Sequence, residues 1–465
     1  MKKNKTSKTV SLILAVLTAA AIFASCSAGD RGAVRDTADM TSEDTTGTEI
    51  ISAPASFPVL RVTTEYGGPI VVREYSPVTV TLEGTDGGKY DFSDLTAQMK
   101  CRGNSTFHQP KKPYRIKFDE KINMNGQGDG PSKSWVLLAN YADKSLLRDH
   151  VTFAMGKKLD SIGFTSSSSY VQFYMNDVYF GVYELVEHHG EGKYRIVMNE
   201  DPEEPDTDYL IELDEYVNIN GGEIPYYFNV EERAFSIKSD FMTMKKWRFI
   251  HGFFEKVDEA IEGGDEEKIG ELIDLSSFVD MYLLHEIAMN SDVGSSSFFY
   301  LKKAGGKLYC TCPWDFDIAF GNDEAVRGGS WEGIFAGNPD FTEGISGYDT
   351  PRSNDWFSWL MKRRWFVDLV AERWDGMKDE LEETALAAID EALGSWEDEM
   401  NKNFDKWKIL NRRIIAEADE TLGFETWREN AEYLREWIVN RFEWLDGYFS
   451  DPETRYQTVS PDGGR

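Results

Sequence analysis

Apolar and polar residues alternate in short runs through the first half of the chain, as they do in half-buried β-strands. Gly and Pro residues separate the runs and mark turns. Between two of the runs, the segment 144–159 places Leu147, Val151 and Leu159 at helical spacing, so one early helix is expected. The alternation predicts strands at 59–66, 70–75, 78–84, 114–118, 135–141, 169–175 and 178–187.

The second half of the chain has the periodicity of amphipathic helices. Helices are predicted at 244–261 and 274–290, the second with Asp274 as its N-cap. A further run of helices with several Trp residues is predicted from about 355 to 449. These Trp residues are expected in the core, with a ligand-binding platform as the alternative.

This succession of strands and then helices predicts an α+β fold class. The domain is expected to span 58–450, with a strand-rich lobe at 58–240 and a helical lobe at 241–450. A polar tail at 451–465 would follow it.

The first 26 residues have the composition of a bacterial export signal. A basic start with four lysines and no acid precedes an apolar run that ends at Phe23. The run is shorter than the roughly 20 apolar residues of a membrane-spanning helix, and the Ala-Ser pair before Cys26 resembles a lipobox. We therefore expect a lipid on Cys26, a flexible linker at 27–57 and an extracytoplasmic protein anchored to the cell membrane. The alternative is an ordinary signal peptide that contains a cysteine.

The chain is strongly acidic, with a formal net charge of -31. Loss of the lysine-rich signal would make the mature protein still more negative. Such a surface repels nucleic acid and anionic lipid, so nucleic-acid binding is excluded and membrane contact is expected only through the lipid anchor. An anionic ligand would require a local basic pocket or a divalent metal ion.

Three cysteines remain besides Cys26, and this odd number argues against a disulfide framework. We expect Cys101, Cys310 and Cys312 to act as small buried hydrophobic residues. A metal site at Cys310 and Cys312 is the alternative.

The densest set of chemically active residues lies at 290–321, NSDVGSSSFFYLKKAGGKLYCTCPWDFDIAFG. The segments SFFYLKK, AGG and KLYCTC predict a β-hairpin. Asp292 precedes this hairpin, and Asp315 and Asp317 follow it, so the three acids can converge on one point. Carboxylates are suitable ligands for a divalent metal bound to phosphate, and one of them can orient or deprotonate a hydroxyl. The alternative is a solvated hairpin whose acids cap turns.

Protein kinases arrange a helix, a catalytic-loop Asp, a hairpin and a metal-binding Asp in this same order. Their metal-binding Asn follows the catalytic Asp by five positions. Ser297 occupies that position in this chain and is a weaker metal ligand than an amide.

A basic cluster at 100–118, KCRGNSTFHQPKKPYRIKF, contrasts with the acidic remainder of the chain. Arg102 and the flexible RGNST backbone offer donors to a phosphate group. Lys144 and Arg148, spaced i, i+4 on a predicted helix, are expected to reinforce this phosphate-binding surface. The other cations of the cluster are Lys111, Lys112, Arg115 and Lys117.

Several motifs, taken in order, resemble the CotH kinase family, named for spore coat protein H. They are RGNST with KKPYRIKF, LLANYADKSLLRD, GVYELVE, YLIELD and PWDFDIAFG, and the resemblance runs from about residue 58 to 450. It implies a divergent protein-kinase-like fold that binds ATP with Mg²⁺ or Mn²⁺. It also implies phosphorylation of Ser or Thr hydroxyls on secreted or cell-envelope proteins.

The resemblance implies roles for single residues. Asp292 corresponds to the catalytic-loop acid and Asp315 to the principal metal ligand, with Asp317 and Ser297 beside the metal site. The implied contacts to the nucleotide are Arg102 and Lys112 or Lys117 at the phosphates and Glu187 near the base. Two departures, Ser297 in place of an amide and a single Gly in RGNST, bear on turnover more than on nucleotide binding.

The sequence therefore supports three alternative hypotheses of function. The first is an extracytoplasmic protein kinase, and the second is a nucleotide-binding pseudokinase or scaffold of the same fold. The third is a carbohydrate-acting or carbohydrate-binding envelope protein, suggested by 13 Trp residues and many carboxylates. Metal-dependent ATP binding distinguishes the first two from the third, and phosphate transfer distinguishes the first from the second.

The lipid anchor can be tested directly. Cys26→Ser removes the thiol that would carry the lipid, so we expect release from membranes or a block in processing. Stable anchoring takes more than one acyl chain, since a single chain binds only marginally. Membrane fractionation with the same distribution for wild type and Cys26→Ser would contradict the anchor.

Overall fold

The computed structural model of the chain describes residues 56–218, 225–239, 242–341, 353–414 and 416–460. The export signal, Cys26 and nearly all of the expected linker 27–57 lie outside these residues. Within the described part, no helix combines the length and the apolar character needed to cross a membrane.

Seven strands of the first half close into a barrel in the order β1-β2-β3-β4-β5-β7-β6. Neighbouring strands are antiparallel, except that β1 pairs in parallel with β6 and thereby closes the barrel. Alternate side chains such as Leu60, Val62 and Leu82 fill the interior and are at most 1% exposed. The strands are β1 (Val59–Thr64), β2 (Ser76–Glu83), β3 (Phe92–Cys101), β4 (Tyr114–Ile122), β5 (Ser132–Leu138), β6 (Ser168–Met175) and β7 (Val178–Glu187).

A second sheet combines strands from both halves of the chain, in the order β12-β11-β8-β10-β9. The predicted hairpin supplies β11 and β12, and β11 pairs antiparallel with β8. This pairing brings the acid-rich ends of the hairpin beside the YLIELD strand. The strands are β8 (Tyr209–Leu213), β9 (Tyr227–Val230), β10 (Arg233–Ile237), β11 (Phe298–Lys302) and β12 (Leu308–Thr311).

Helices make up most of the second half, and α4 is buried along almost its whole length. As predicted, Asp274 caps α4: its Oδ1 accepts a hydrogen bond from Ser277 N at 2.9 Å. The helices are α1 (Arg148–Gly156), α2 (Met244–Gly263), α3 (Glu266–Leu272), α4 (Leu275–Ala288), α5 (Asp355–Met361), α6 (Arg364–Ser395), α7 (Glu397–Lys406), α8 (Trp427–Ser450) and α9 (Pro452–Arg455).

The α+β class with a strand-rich first half and a helical second half is thus confirmed. The prediction of a strand at 70–75 is wrong, since that segment is an irregular connection between β1 and β2. Both edges of β1 are already paired, with β2 and β6, so no edge of β1 is left for another strand.

The early helix is shorter than the predicted 144–159 and begins at Arg148. Asp143 Oδ1 accepts from Ser145 N, and Asp143 Oδ2 accepts from Arg148 N, both at 2.9 Å. Leu146 adopts a left-handed φ of 59°. These local bonds and this left-handed residue replace the first predicted turn with a tight loop.

All three cysteines outside the export signal are free and buried, as expected for small hydrophobic residues. Cys101 belongs to the barrel core, whereas Cys310 and Cys312 lie in two different clusters of the core. Burial raises the pKa of the Cys101 thiol to about 11 and that of Cys312 to about 12.

A fully buried ion pair holds the helical half together. Arg441 on α8 and Glu286 on α4 are both 0% exposed and lie 2.7 Å apart. Arg441 also donates to the carbonyl oxygens of Trp331 and Gly333, at 2.7 and 2.8 Å. The Glu286 carboxylate accepts hydrogen bonds from the backbone N–H groups of Phe335 and Ala336. The pair therefore fixes two helices and one loop at a single point.

Removing Arg441 is expected to be costly because it leaves Glu286 buried without its cation. Arg441→Ala should lower the free energy of unfolding by about 3–5 kcal/mol. The matched control is Arg435→Ala on the same helix, where the pair with Asp390 is 39% and 51% exposed and about 1 kcal/mol or less is expected. Denaturant unfolding measures both variants, and equal losses would contradict the role of the buried pair.

Candidate functional site

A cleft of about 500 Å³ opens between one end of the barrel and the second sheet. Basic residues from the barrel side face acidic residues from the second sheet and the hairpin loops. The residues that line it include Arg73, Lys100, Arg102, Asn104, Arg115, His188, His189, Glu212, Asp214, Lys238, Asp292, Ser297, Phe299, Trp314 and Asp315. Four of the predicted site residues therefore meet here: Arg102, Asp292, Ser297 and Asp315.

The RGNST loop follows β3 and forms the basic wall of the cleft. Gly103 has φ +88°, and a Cβ at that position would overlap Thr106 Oγ1, so the turn requires glycine. The Arg102 guanidinium lies over the Trp314 ring, 5.0 Å from its centroid. Burial lowers the pKa of Arg102, and the nearby Asp315 opposes that shift. The positive charge of Arg102 therefore lies close enough to Asp315 on the acidic wall for the two groups to interact.

Asp292 lies in the loop that follows α4, at the acidic wall. The helix ends where Met289 turns to a left-handed φ of 47°. Burial raises the pKa of Asp292 to about 8, with additional contributions from the charges of Asp315 and Asp323. Ser295 Oγ lies 3.5 Å from Asp292 Oδ1 and opposes the shift. A cation bound nearby would favour the charged carboxylate.

Asp315 and Ser297 approach one another from the two ends of the hairpin. Ser297 Oγ donates to Asp315 Oδ2 at 3.0 Å. Both residues have left-handed backbones, with φ of 57° and 67°. Such conformations carry strain in residues other than glycine and are frequent at functional sites. Burial raises the pKa of Asp315, while Arg102 and the Ser297 hydroxyl oppose the shift.

Asp317, predicted beside the metal site, is buried and does not line the cleft. Burial, followed by the charges of Asp315 and Asp149, raises its pKa well above the usual range. Its carbonyl oxygen accepts from Asn322 Nδ2 at 2.8 Å. Asp317 therefore stabilises the loop that carries Asp315 and does not face the cleft.

Lys112 and Lys117, the alternative phosphate contacts, do not line the cleft. Lys112 Nζ donates to the carbonyl oxygens of Phe107 and Gln109, at 2.7 and 3.3 Å, and so braces the RGNST loop. Lys117 is exposed farther along β4. Arg115, two residues before Lys117 on the same strand, does line the cleft.

Arg148 is buried beneath the hairpin loop and is absent from the cleft wall. Its guanidinium pairs with Asp143 at 2.5 Å and donates to the carbonyl oxygens of Ala319 and Phe320, at 2.9 and 3.4 Å. Lys144, its predicted companion, is likewise bound to Glu417 at 2.5 Å. Both cations connect the barrel side of the chain to loops of the helical half.

Glu187, predicted near the nucleotide base, points to a different cavity of about 370 Å³. Its carboxylate lies 2.9 Å from Arg195 Nε and accepts from Ser167 N at 3.0 Å. The next two residues, His188 and His189, line the candidate cleft in its place.

An aromatic wall completes the cleft at this end. The His189 ring lies 4.4 Å from the Phe299 ring and 4.3 Å from the Trp314 ring, between centroids. His188 stacks on His189 at 4.9 Å and 14°. Burial and then the neighbouring cations hold the pKa of both histidines well below the usual range. These uncharged rings offer apolar faces and edges to a planar ligand ring.

The acidic wall contains two further carboxylates that the sequence analysis did not predict as site residues. Glu212 and Asp214 on and after β8 face Lys238, which forms an ion pair with Glu212 and lies 4.0 Å from Asp214. Burial and then Glu212 raise the pKa of Asp214 to about 6. Both acids belong to the YLIELD motif, but the sequence alone did not indicate that Lys238 would lie opposite them.

The acidic wall is chemically suitable for a divalent metal ion that also binds phosphate. The described residues contain no group of three or more His, Cys, Asp or Glu side chains arranged to hold a metal alone. Mg²⁺ at phosphate-binding sites commonly takes one or two carboxylates, with phosphate oxygens and water completing its octahedron. Asp315, supported by Ser297 and with Asp292 nearby, fits that donor set.

The raised pKa of Asp292 makes the stability of the metal-free protein depend on pH. The folded protein keeps a proton on Asp292 up to about pH 8, whereas an unfolded Asp loses it near pH 4. Stability should therefore fall as pH rises through this window, and Asp292→Asn should remove that part of the loss. Relative to wild type, the variant should gain about 1 kcal/mol or more between pH 5 and pH 8.5.

Denaturant unfolding at the two pH values measures this difference. Asp375→Asn is the control, because that side chain is 82% exposed. A wild-type-to-Asp292→Asn difference that is the same at both pH values would contradict the raised pKa of this carboxyl.

The arrangement of cleft, hairpin and basic loop lies within a recognised sequence family. The family model described as CotH kinase protein matches residues 99–445, which is most of the chain. A search of curated proteins found no match. The matched region includes the RGNST loop, the YLIELD strand and the hairpin with Asp292 and Asp315, and the chain therefore belongs to the CotH kinase family.

Proposed function

We propose that this protein is an extracytoplasmic, ATP- and metal-dependent protein kinase that transfers the γ-phosphate to Ser or Thr hydroxyls of secreted or cell-envelope proteins. One observation carries the proposal: a cleft of about 500 Å³ that is lined both by the basic RGNST loop and by Asp292 and Asp315. Membership of the CotH kinase family supports the same reaction class.

The two walls suit different parts of a nucleotide. Arg102, Arg115 and the backbone of the RGNST loop offer charge and donors to the phosphates. The rings of His189, Phe299 and Trp314 offer a stacking surface to the base. His189 Nδ1 is a buried atom without a hydrogen-bond partner among the described residues, so a base with a polar edge would satisfy it.

Transfer requires that an acceptor hydroxyl be oriented and relieved of its proton. In the proposed reaction, Asp292 accepts this proton as the hydroxyl oxygen bonds to the γ-phosphorus and the bond to the ADP oxygen breaks. Asp315 and Ser297 would hold a metal ion, which supplies positive charge at the phosphates when bound. Arg102 adds a fixed positive charge on the opposite wall.

A pseudokinase of the same fold is the second candidate, and Ser297 is the observation that favours it. A hydroxyl is a weaker metal ligand than an amide, and here it is already hydrogen-bonded to Asp315. The carbohydrate-binding alternative finds less support. The side chains of Trp135, Trp356, Trp374, Trp427 and Trp437 are at most 1% exposed and provide no sugar platform.

Two aspartate variants separate binding from transfer. Asp315→Asn removes a metal ligand and should weaken Mg²⁺- or Mn²⁺-dependent ATP binding. Asp292→Asn should keep ATP affinity within a few-fold but lower transfer by about 10² or more, as expected for a general base. Calorimetric titration measures ATP binding, and phosphate incorporation into a Ser/Thr protein acceptor measures transfer.

Ser297→Asn is the companion variant, because it restores the amide of the kinase pattern and should tighten metal binding. Equal transfer by wild type and Asp292→Asn would remove Asp292 from the mechanism. ATP binding by wild type without detectable transfer would favour the pseudokinase. Absence of metal-dependent ATP binding would reject both kinase-like functions.

A further inference from the structure

A single peptide unit, the one that joins Asp315 to Phe316, is held from both of its ends by buried side chains. Asn290 Nδ2 donates to the Asp315 carbonyl oxygen at 3.3 Å. Asp149 Oδ1 accepts from the Phe316 N–H at 2.8 Å. Asn290 is 1% exposed and Asp149 is 2% exposed, so neither bond competes with bulk water.

This peptide unit follows directly on a strained residue. Asp315 has φ +67°, which places its carboxylate against the Ser297 hydroxyl in the cleft. A non-glycine residue keeps such a conformation only where its surroundings hold it, since the strain is of the order of 1–3 kcal/mol. The two bonds to the peptide unit supply that restraint immediately after the strained residue.

The two restraining side chains come from distant parts of the chain. Asp149 lies in the first turn of α1, on the barrel side, and Asn290 lies just after α4, on the helical side. Asn290 Oδ1 also accepts from the backbone N–H of Asp292 at 3.0 Å. One amide side chain thus joins the loop that carries Asp292 to the loop that carries Asp315.

We propose that Asn290 and Asp149 are positioning residues that clamp the Asp315–Phe316 peptide unit and so aim the Asp315 carboxylate at the metal of the nucleotide site. These two side chains form the clamp, and its role rests on the proposed function. Side chains that orient a metal ligand from behind typically change metal affinity by about 10–100-fold when removed. Neither residue touches the nucleotide or the acceptor in this scheme.

The test compares variants that break the clamp with one that keeps it. Asn290→Ala removes the bonds to the Asp315 carbonyl and to the Asp292 N–H, and Asp149→Ala removes the bond to the Phe316 N–H. Both variants should weaken Mn²⁺-dependent ATP binding by about 10-fold or more. Asp149→Asn retains an oxygen that can accept from Phe316 N–H, so it should preserve most of the affinity. Asn430→Ala is the matched control, because it removes a buried amide that bonds the Thr426 carbonyl at 2.8 Å in α8.

A second measurement does not depend on ATP. Hydrogen exchange of the peptide that contains Phe316 should accelerate in Asp149→Ala and remain slow in Asp149→Asn and Asn430→Ala. Should Asn290→Ala fail to fold, Asn290→Ser replaces it, because a serine hydroxyl is too short to reach the Asp315 carbonyl. The two measurements together separate the clamp from the activity.

Weaker Mn²⁺–ATP binding in the clamp-breaking variants, with rescue in Asp149→Asn, would support the clamp. Wild-type affinity in both alanine variants would overturn the positioning role and leave the nucleotide site in place. Exchange that is unchanged in Asp149→Ala would overturn the bond to Phe316 itself. A wild-type protein that binds no Mn²⁺–ATP would instead overturn the proposed function, and the positioning role with it.

Discussion

The arrangement of the cleft depends on the interactions of one buried group, the guanidinium of Arg148. It forms an ion pair with Asp143, which lies just before α1, and it also donates hydrogen bonds to the carbonyl oxygens of Ala319 and Phe320. A buried cation must be paired and fully hydrogen-bonded, or it destabilises the fold severely. This guanidinium therefore joins the start of α1, on the barrel side, to the loop that follows Asp315 and Asp317, and it helps to set the position of the acidic wall relative to the basic wall.

Local pattern was sufficient to predict much of the fold and part of the site. Alternation and helical spacing predicted most of the strands and the long helices, because burial of one face is a local property of each element. Asp292, Asp315 and Asp317 were predicted to meet because a hairpin brings its two ends together, and Ser297 was predicted beside them from the kinase pattern. Asp317 is the exception, since it is buried and does not line the cleft. Arg102 was predicted from its place in a glycine-containing loop within the basic cluster of an otherwise acidic chain.

The remaining site residues could not be predicted because their partners are distant in sequence. A basic side chain looks the same in a sequence whether it binds phosphate or a backbone carbonyl, and Lys112 and Arg148 bind carbonyls. Glu187 was one residue short of the cleft, since the chain leaves β7 at that point and His188 turns towards the opening. The opposition of Lys238 to Glu212 arises only when β10 pairs with β8.

The mixed origin of the second sheet has a consequence for the order in which the molecule is made. The barrel uses only residues from 59 to 187, so it can assemble once that part of the chain has been released. The second sheet needs β11 beside β8, a pairing across a long stretch of intervening chain, and such contacts form slowly. The basic wall can thus form before the acidic wall, which is incomplete until the hairpin and Asp315 have joined the second sheet. Proteins truncated before the hairpin would expose the edge of β8 and be prone to strand-mediated aggregation.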